Sequence, residues 1–185
     1  MRIKKTVNIA MATAVCLMIT ACGGGSSSAG GAQSDLTGPP DEILSQLVED
    51  ISSAGVNMPM SLPPTEVTAD MSQGIIGLSE GDFDKLVASA SYNMAAIGTF
   101  AHQIIIVLAN DNDAAAEVKK LVSSDGGYDP HKWICVFPEK AAAVESGSYV
   151  LLVASYAEVV DAAIEAFKNA AGSIGSVNEF WEFAD

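Results

Sequence analysis

The chain has 185 residues, of which 23 are acidic and 9 are basic, so its formal net charge at pH 7 is −14. This excess of negative charge excludes functions that rest on many cationic contacts, such as binding to nucleic acid or adsorption on an anionic lipid surface.

The first 21 residues have the three parts of a bacterial signal peptide. Basic side chains at positions 2–5 precede an apolar run over residues 7–18, and small residues follow. The string ITAC at 19–22 looks like a lipobox, in which the Cys22 thiol accepts diacylglycerol before cleavage ahead of it. We therefore predict a lipoprotein signal peptide over residues 1–21. The alternative is an ordinary secretory signal whose cleavage site contains a cysteine.

Residues 22–40 are predicted to be the acylated cysteine and a flexible tether. This segment is rich in Gly, Ser and Pro and has almost no apolar side chain to bury. About 18 flexible residues span roughly 20–25 Å, which holds a small domain just clear of a lipid surface. After removal of the signal peptide, 6 basic residues stand against 23 acidic ones, which gives a formal charge of −17 and leaves no arginine.

The use of cysteine agrees with export from the cytoplasm. Cys16 leaves with the signal peptide and Cys22 is acylated, so Cys135 alone remains and no intrachain disulfide is predicted. Cys135 lies between Ile134 and Val136. In such a run we expect a buried cysteine that behaves as a small hydrophobic residue.

The first half of the predicted domain contains one clear helix and two strands. Apolar residues over 41–54 have the spacing of one helical face, whereas a helical turn over 65–71 is only weakly indicated. Residues 82–94 alternate between apolar and polar, which predicts a strand with one wet face. The β-branched run over 104–108 predicts a strand that is buried on both faces.

The second half repeats this order of elements. Asp111 or Asp113 is expected to cap a helix that runs to about Val122. Residues 132–137 and 140–154 predict further strands, the latter turning at residues 146–148. A helix is predicted over 157–170, where apolar residues form one stripe.

This order of elements predicts an α+β domain. We expect a mainly antiparallel sheet of about four strands with helices packed on one face. Residues 41–170 are predicted to form a single globular domain with one core, and residues 171–185 a C-terminal extension.

Four strings of the predicted domain are distinctive. They are MPM at 58–60, IIIVLANDNDAAAEVKKL at 104–121, YDP at 128–130 and ESGSYVLLVAS at 145–155. Together with the lipobox, these strings resemble those of small lipoproteins of Firmicutes, chiefly gut clostridia, catalogued as domain of unknown function 4358. The resemblance covers residues 40 to about 168 and implies the fold and the localisation, but it supplies no established activity.

Residues with the chemistry of a catalytic or metal site are few. His102 and His131 are the only histidines, and we interpret them as a strand-end residue and a turn residue. Asp111 and Asp113 resemble the first ligands of a calcium loop, but alanines follow at 114–116, so helix capping is the preferred interpretation. No serine-hydrolase motif occurs. The sequence therefore predicts no catalytic residue, no metal site and no cofactor.

The last ten residues, SVNEFWEFAD, are unusually aromatic for a chain end. Phe180, Trp181 and Phe183 are large side chains of the kind enriched at interfaces, and we expect them to be docked on another surface. One hypothesis is that Trp181 covers an apolar patch of its own domain. The other is that Phe180, Trp181 and Phe183 contact an envelope partner.

Two classes of function remain open. The first is a non-enzymatic accessory or interaction domain, anchored through lipid on Cys22 to the extracytoplasmic face of the cell membrane. The alternative is a small ligand-binding module that assists transport or envelope sensing. A smooth surface with an apolar patch favours the first class, and a deep cleft with converging side chains favours the second.

Overall fold

The structure is a computed structural model that describes residues 33–183. The predicted signal peptide, Cys22 and most of the predicted tether lie outside the described residues. Within residues 33–183, no helix has the length and apolar character needed to cross a bilayer. The helices are Pro40–Ser53 (α1), Ala69–Ile75 (α2), Glu80–Leu86 (α3), Asn112–Val122 (α4) and Ala157–Ala171 (α5). The strands are Thr65–Glu66 (β1), Val87–Met94 (β2), Gln103–Ala109 (β3), Lys140–Ser146 (β4), Tyr149–Ser155 (β5) and Asn178–Glu182 (β6).

The strands form one sheet in the order β1-β2-β3-β5-β4-β6, and every neighbouring pair is antiparallel. The predicted α+β class with an antiparallel sheet is confirmed, but there are six strands instead of about four. The edge strands explain the difference. Strand β1 has only two residues, too few for a recognisable alternation, and β6 lies in the segment predicted as an extension.

Helices cover both faces of the sheet, so the prediction that they pack on one face is wrong. On one face, α1 and α5 pack against Ile104 and Leu151. On the other face, α3 and α4 pack against Ile105 and Leu152. The central strands β3 and β5 are apolar on both faces, and each face needs its own cover to exclude water.

Three of the predicted helices are confirmed as α1, α4 and α5. Helix α4 begins after Asp111, whose carboxylate accepts a hydrogen bond of 2.7 Å from the backbone N–H of Ala114. This contact satisfies one of the free N–H groups at the start of the helix, and Asp111 is therefore a cap. The predicted turn between β4 and β5 is also present, with Gly147 at a φ of 57°.

The strand predicted over residues 82–94 begins only at Val87, because residues 80–86 form α3. The hydroxyl of Ser79 accepts a hydrogen bond of 3.1 Å from the backbone N–H of Asp82 and caps this helix. Phe83 and Leu86 lie three residues apart and are both buried on the inner side of the helix. The segment 65–71, where a helical turn was weakly indicated, is divided between β1 and the start of α2.

The prediction of a strand over residues 132–137 is wrong, since this segment is an irregular loop. Ile134 is 86% exposed, and Cys135 is exposed with a φ of 63° instead of buried. Two contacts compete with strand formation here. The free edge of β4 is taken by β6, and Lys132 at the start of the loop is held by carbonyl groups at the end of α2.

The two ends of the sheet are occupied by different parts of the chain. Residues 33–38 pack beside the β4–β5 turn, where the Tyr149 hydroxyl donates to the Gly38 carbonyl at 2.9 Å. We call this the anchor end. The opposite end, where β3 and β4 begin and β2 and β5 finish, is called the far end. Strands of seven residues separate the two ends by roughly 20 Å.

Candidate functional site

Large apolar side chains are exposed at the far end of the sheet. Met60 is 74% exposed and Ile97 54%, and Phe100 borders them with its ring edge-on to Tyr156 at 6.5 Å. The backbone pairing of Met60 with Ala96, which donates its N–H at 2.8 Å, fixes the first of these side chains beside the end of β2. Together they line a shallow groove of about 250 Å³.

A second group of exposed rings lies at the far end of the sheet, where β4 begins and β6 ends. Phe137 stacks on Phe183 with ring centroids 5.9 Å apart, and His131 meets the edge of Phe137 at 5.3 Å and that of Trp181 at 4.7 Å. Phe183 is 49% exposed and Phe137 44%. One end of this row of rings, at Phe183, lies on the open surface, and the other end, at Trp181, lines a cleft.

The C-terminal aromatic residues are docked on their own domain through β6. The Trp181 indole N–H donates to the Pro138 carbonyl at 2.9 Å, and the Phe183 N–H donates to the Glu139 carbonyl at 2.8 Å. A register shift in the β4–β6 pairing lets the neighbouring residues Phe180 and Trp181 both pack against the core. Self-docking thus occurs for Phe180 and Trp181, while Phe183 keeps an open face.

The cleft next to the aromatic row has a volume of about 610 Å³. Three parts of the chain form it: the end of α2, the loop over residues 123–132, and β6 with Phe180 and Trp181. Gly127, which lines the cleft, closely approaches the backbone of Gly77, which has a φ of 88°. A Cβ atom on Gly77 would lie 2.3 Å from the backbone of Gly127, so the loop over residues 123–132 can come this close to the α2–α3 connection only because residue 77 is a glycine.

Lys132 spans the inner part of this cleft. Its ammonium donates to the Gln103 amide oxygen at 2.6 Å and to the carbonyls of Ile75 at 3.0 Å and Gly74 at 3.3 Å. It also lies 4.0 Å above the centre of the Tyr128 ring. Burial lowers the pKa of Lys132 to about 7, although the nearby negative charge of Asp129 acts in the opposite direction.

Tyr128 and Gln103 form the support beneath Lys132. The Tyr128 hydroxyl donates to the same Gln103 oxygen at 3.0 Å, so this oxygen accepts two hydrogen bonds. Burial raises the pKa of Tyr128 well above its usual value, and the charge of Asp129 adds to the shift. The phenol is therefore a hydrogen-bond donor at neutral pH and not a base.

Carboxylates stand at the mouth of the cleft. Asp125 and Asp129 both line it and both are exposed. Asp129 accepts a hydrogen bond of 2.8 Å from the backbone N–H of His131, and the His131 Nδ1 atom lies 3.4 Å from the same carboxylate. His131 therefore occupies the predicted turn, with its ring set between a carboxylate and two aromatic rings.

His102 directly precedes β3, as predicted, and is fully buried. Its Nε2 atom lies 3.0 Å from the Ser61 hydroxyl oxygen and its Nδ1 atom 2.8 Å from that of Ser155. Burial lowers the pKa of His102 to about 4, so the ring is neutral at physiological pH. Because Ser61 donates its proton to the Pro59 carbonyl at 3.0 Å, it accepts from the His102 Nε2–H.

This direction of hydrogen bonding opposes a nucleophilic role for Ser61. A base must accept the proton of the hydroxyl, whereas His102 donates a proton to Ser61. The Ser155 hydroxyl donates in turn to Nδ1, which completes a chain from Ser155 through His102 to the Pro59 carbonyl. The three residues tie the loop that carries Met60 to the end of β5.

Residues 33–183 contain no group of three or more His, Cys, Asp or Glu side chains close enough to hold a metal ion. Comparisons of the chain with protein-family models, curated proteins and solved structures find no match. The resemblance to domain of unknown function 4358 therefore stays a prediction.

Sequence reasoning missed the cleft and the role of Lys132. The string YDPHK at 128–132 was interpreted as a turn followed by a strand, and its lysine carried no motif. The contacts of Lys132 are with residues 57 and 58 positions away, at the end of α2. The only local signal was the unusual grouping of Gly126, Gly127 and Asp125, which marks a loop but not what it faces.

Proposed function

We propose that the protein is a lipid-anchored interaction domain that binds an envelope protein on the extracytoplasmic face of the cell membrane. One observation carries the proposal. Two groups of exposed apolar residues, Met60 with Ile97 and Phe137 with Phe183, lie at the far end of the sheet, whereas residues 33–38 pack at the anchor end. The exposed apolar residues are therefore separated from the anchor end by the length of the strands, and attachment there leaves them free to meet a partner.

Protein is the partner that fits the surface best. Exposed clusters of large apolar and aromatic side chains mark sites of protein interaction. The acidic side chains Glu139, Glu158 and Glu182 are exposed at the same end. They oppose adsorption of this surface on anionic lipid and favour a partner with basic residues around an apolar centre. The Ser155 hydroxyl donates to His102, but both residues are fully buried and out of reach of a substrate, which supports a non-enzymatic role.

Photocrosslinking in living cells tests the proposal. A photoreactive amino acid is placed at Ile97 or Phe137 in the far end, and at Asn112 beside the anchor end as the matched control. We expect the same protein to be captured from both far-end positions and not from Asn112. An additional Met60→Asp substitution should abolish capture from Ile97. Capture of only lipid, only a second copy, or equal capture from Asn112 would contradict the proposal.

The cleft favours a second function, that of a ligand-binding module. It has the volume of a small-molecule site and brings aromatic and carboxylate side chains together. The two functions use neighbouring surfaces that meet at Trp181, and each can be tested without the other.

A further inference from the structure

Lys132 differs from the other lysines that are removed from water. Among residues 33–183, the lysines with partly or fully buried side chains are Lys119, Lys132 and Lys140. Lys119 is paired with Glu145, and Lys140 is paired with two carboxylates. Of these three described lysines, Lys132 alone has no carboxylate within ion-pair distance, so its charge is the least compensated.

The groups that contact the Lys132 nitrogen are uncharged. They are the amide oxygen of Gln103, the carbonyl oxygens of Ile75 and Gly74, and the ring of Tyr128. An ammonium group that is partly desolvated and meets only uncharged groups is less stable than one in an ion pair. The negative charge of Asp129 acts in the opposite direction but does not cancel the effect of burial. These surroundings therefore favour the neutral amine, in agreement with the lowered pKa of Lys132.

The contacts also leave room for the lone pair of a neutral amine. Such an amine has two N–H groups, which serve the two nearer oxygen acceptors, Gln103 at 2.6 Å and Ile75 at 3.0 Å. The Gly74 carbonyl, at 3.3 Å, lines the cleft and can bind water instead. The third position on the nitrogen is then a lone pair, which makes Lys132 a nucleophile.

The cleft of about 610 Å³ gives this nitrogen space for a small molecule. Phe180 and Trp181 supply aromatic walls. Asp125 and Asp129 are exposed at the mouth, and their negative charge opposes the entry of an anion. A small uncharged molecule with an apolar or aromatic group fits these walls best.

We propose that Lys132 is a site of covalent modification, at which the cleft captures a small uncharged aldehyde as an imine. The lone pair of the nitrogen attacks the carbonyl carbon and forms a carbinolamine. The carbonyl oxygen then leaves as water, with both hydrogens taken formally from the amine, and a C=N bond remains. The step needs neither an oxidant nor a reductant. This inference rests on the ligand-binding function of the cleft and not on the binding of protein at the far end.

Site-resolved labelling of the full chain in detergent tests the proposal. Benzaldehyde is the probe, cyanoborohydride reduces the imine to a stable amine, and peptide mass spectrometry measures the labelled fraction at each lysine. Lys120, which is 72% exposed, is the internal reference. At pH 7 about half of the Lys132 side chains are uncharged, whereas a lysine with the ordinary pKa of about 10.4 is almost wholly charged. We therefore expect labelling at Lys132 to be at least tenfold faster than at Lys120.

The ratio of the two labelling rates distinguishes a nucleophilic amine from a lysine that only caps the end of α2. Effects of pH on the reagents cancel in this ratio. It should fall at least tenfold between pH 6 and pH 9, because Lys132 is mostly uncharged above pH 7 while an ordinary lysine continues to lose its proton. A ratio of one or less at pH 7, or a ratio that does not change with pH, would overturn the proposal.

Two further probes separate the covalent step from binding to the cleft. The anionic aldehyde 4-formylbenzoate should show a weaker preference for Lys132 over Lys120 than benzaldehyde, and an equal preference would overturn the assignment of an uncharged ligand. Benzyl alcohol forms no imine, and its binding is followed by Trp181 fluorescence in a Trp133→Phe background, because the chain has only these two tryptophans. Saturable binding of benzyl alcohol without fast labelling of Lys132 would overturn the imine but keep a ligand-binding module. Absence of both would overturn both.

Discussion

The Nε2 atom of His102 lies 3.0 Å from the hydroxyl oxygen of Ser61, in a contact that resembles a catalytic pair in distance but not in direction. Ser61 gives its proton to Pro59 and receives the proton of the ring. The contact connects a surface loop to a buried strand end. The contact affects the stability of the fold, because burial keeps the His102 ring neutral and protonation of the ring would oppose folding.

The first prediction concerns acid stability and His102. Its folded pKa, about 4, lies below the unfolded value of 6.5, so its stabilisation is complete above pH 6.5 and is lost as pH falls towards 4. The shift corresponds to about 3 kcal/mol of unfolding free energy across this window. Urea unfolding at several pH values measures it, with His102→Gln as the control. Between pH 6.5 and pH 4, the free energy of unfolding of the wild type should fall by about 3 kcal/mol more than that of the variant. An equal dependence of this free energy on pH in the two proteins would contradict the prediction.

The second prediction concerns the backbone contact between Gly77 and Gly127. Gly77→Ala places a Cβ atom 2.3 Å from Gly127 and forces alanine to a φ of 88°. We expect a loss of at least about 2 kcal/mol of unfolding free energy from strain and displacement of the loop. Gly81→Ala is the control, since its Cβ would meet open space and Gly81 lies within α3. Thermal unfolding that gives equal melting temperatures for the two variants would refute the contact.

The third prediction concerns β6. Deletion of residues 176–185 should lower the unfolding free energy by about 2 kcal/mol or more, because it uncovers the edge of β4 and removes the packing of Trp181. Trp181 fluorescence in the Trp133→Phe background should be blue-shifted. Phe183→Ala, which changes a half-exposed ring, should cost much less. Unchanged stability of the truncated chain would show that the segment is a detachable partner contact.

The fourth prediction concerns the ion pair of Lys119 and Glu145, whose side chains are 10% and 16% exposed. Lys119 also donates to the Ser176 carbonyl at 3.0 Å, which fixes the approach to β6. Lys119→Met should cost about 3–5 kcal/mol because it leaves a buried carboxylate without its partner. In a double-mutant cycle, adding Glu145→Gln should recover part of this loss. Lys168→Met breaks an exposed pair and should cost less than about 1 kcal/mol.

The fifth prediction concerns the anchor and comes from the sequence alone. Cys22→Ala should release the protein from membranes and abolish incorporation of labelled fatty acid, because the thiol is the predicted acceptor of lipid. Cell fractionation and metabolic labelling measure the two effects, with Cys135→Ala as the control. Retention of the Cys22→Ala variant in the membrane fraction would oppose the lipoprotein assignment.

The spacing of apolar residues and the capping signals were sufficient to predict the elements that follow a simple pattern of burial. Helices α1, α4 and α5 each bury one stripe, and the run at 104–108 is apolar throughout because β3 is covered on both faces. The apolar run at 104–108 already implied that both faces of the sheet are covered, although helices were predicted on only one face. Local patterns report which side chains avoid water, but not which element covers them.

Competition between segments was decided only by the tertiary structure. Residues 132–137 and 178–182 both contain aromatic residues that suit a strand, yet only the second pairs with β4. The carbonyls of Gly74 and Ile75 at the end of α2 hold Lys132 away from the sheet edge, and they lie 58 and 57 positions from Lys132 in the chain.

The sequence by itself determined the class of the fold, the main helices and central strands, and the expectation of a lipid anchor at Cys22. The cleft, the far-end surface and the docking of Trp181 arose only in the folded chain. Each joins residues more than 40 positions apart, such as Trp181 and Pro138, and such contacts depend on the global packing of the sheet. The local spacing of residues shows which side chains prefer burial or exposure. A site also depends on which residues from distant parts of the chain come into contact, and local spacing does not contain that information.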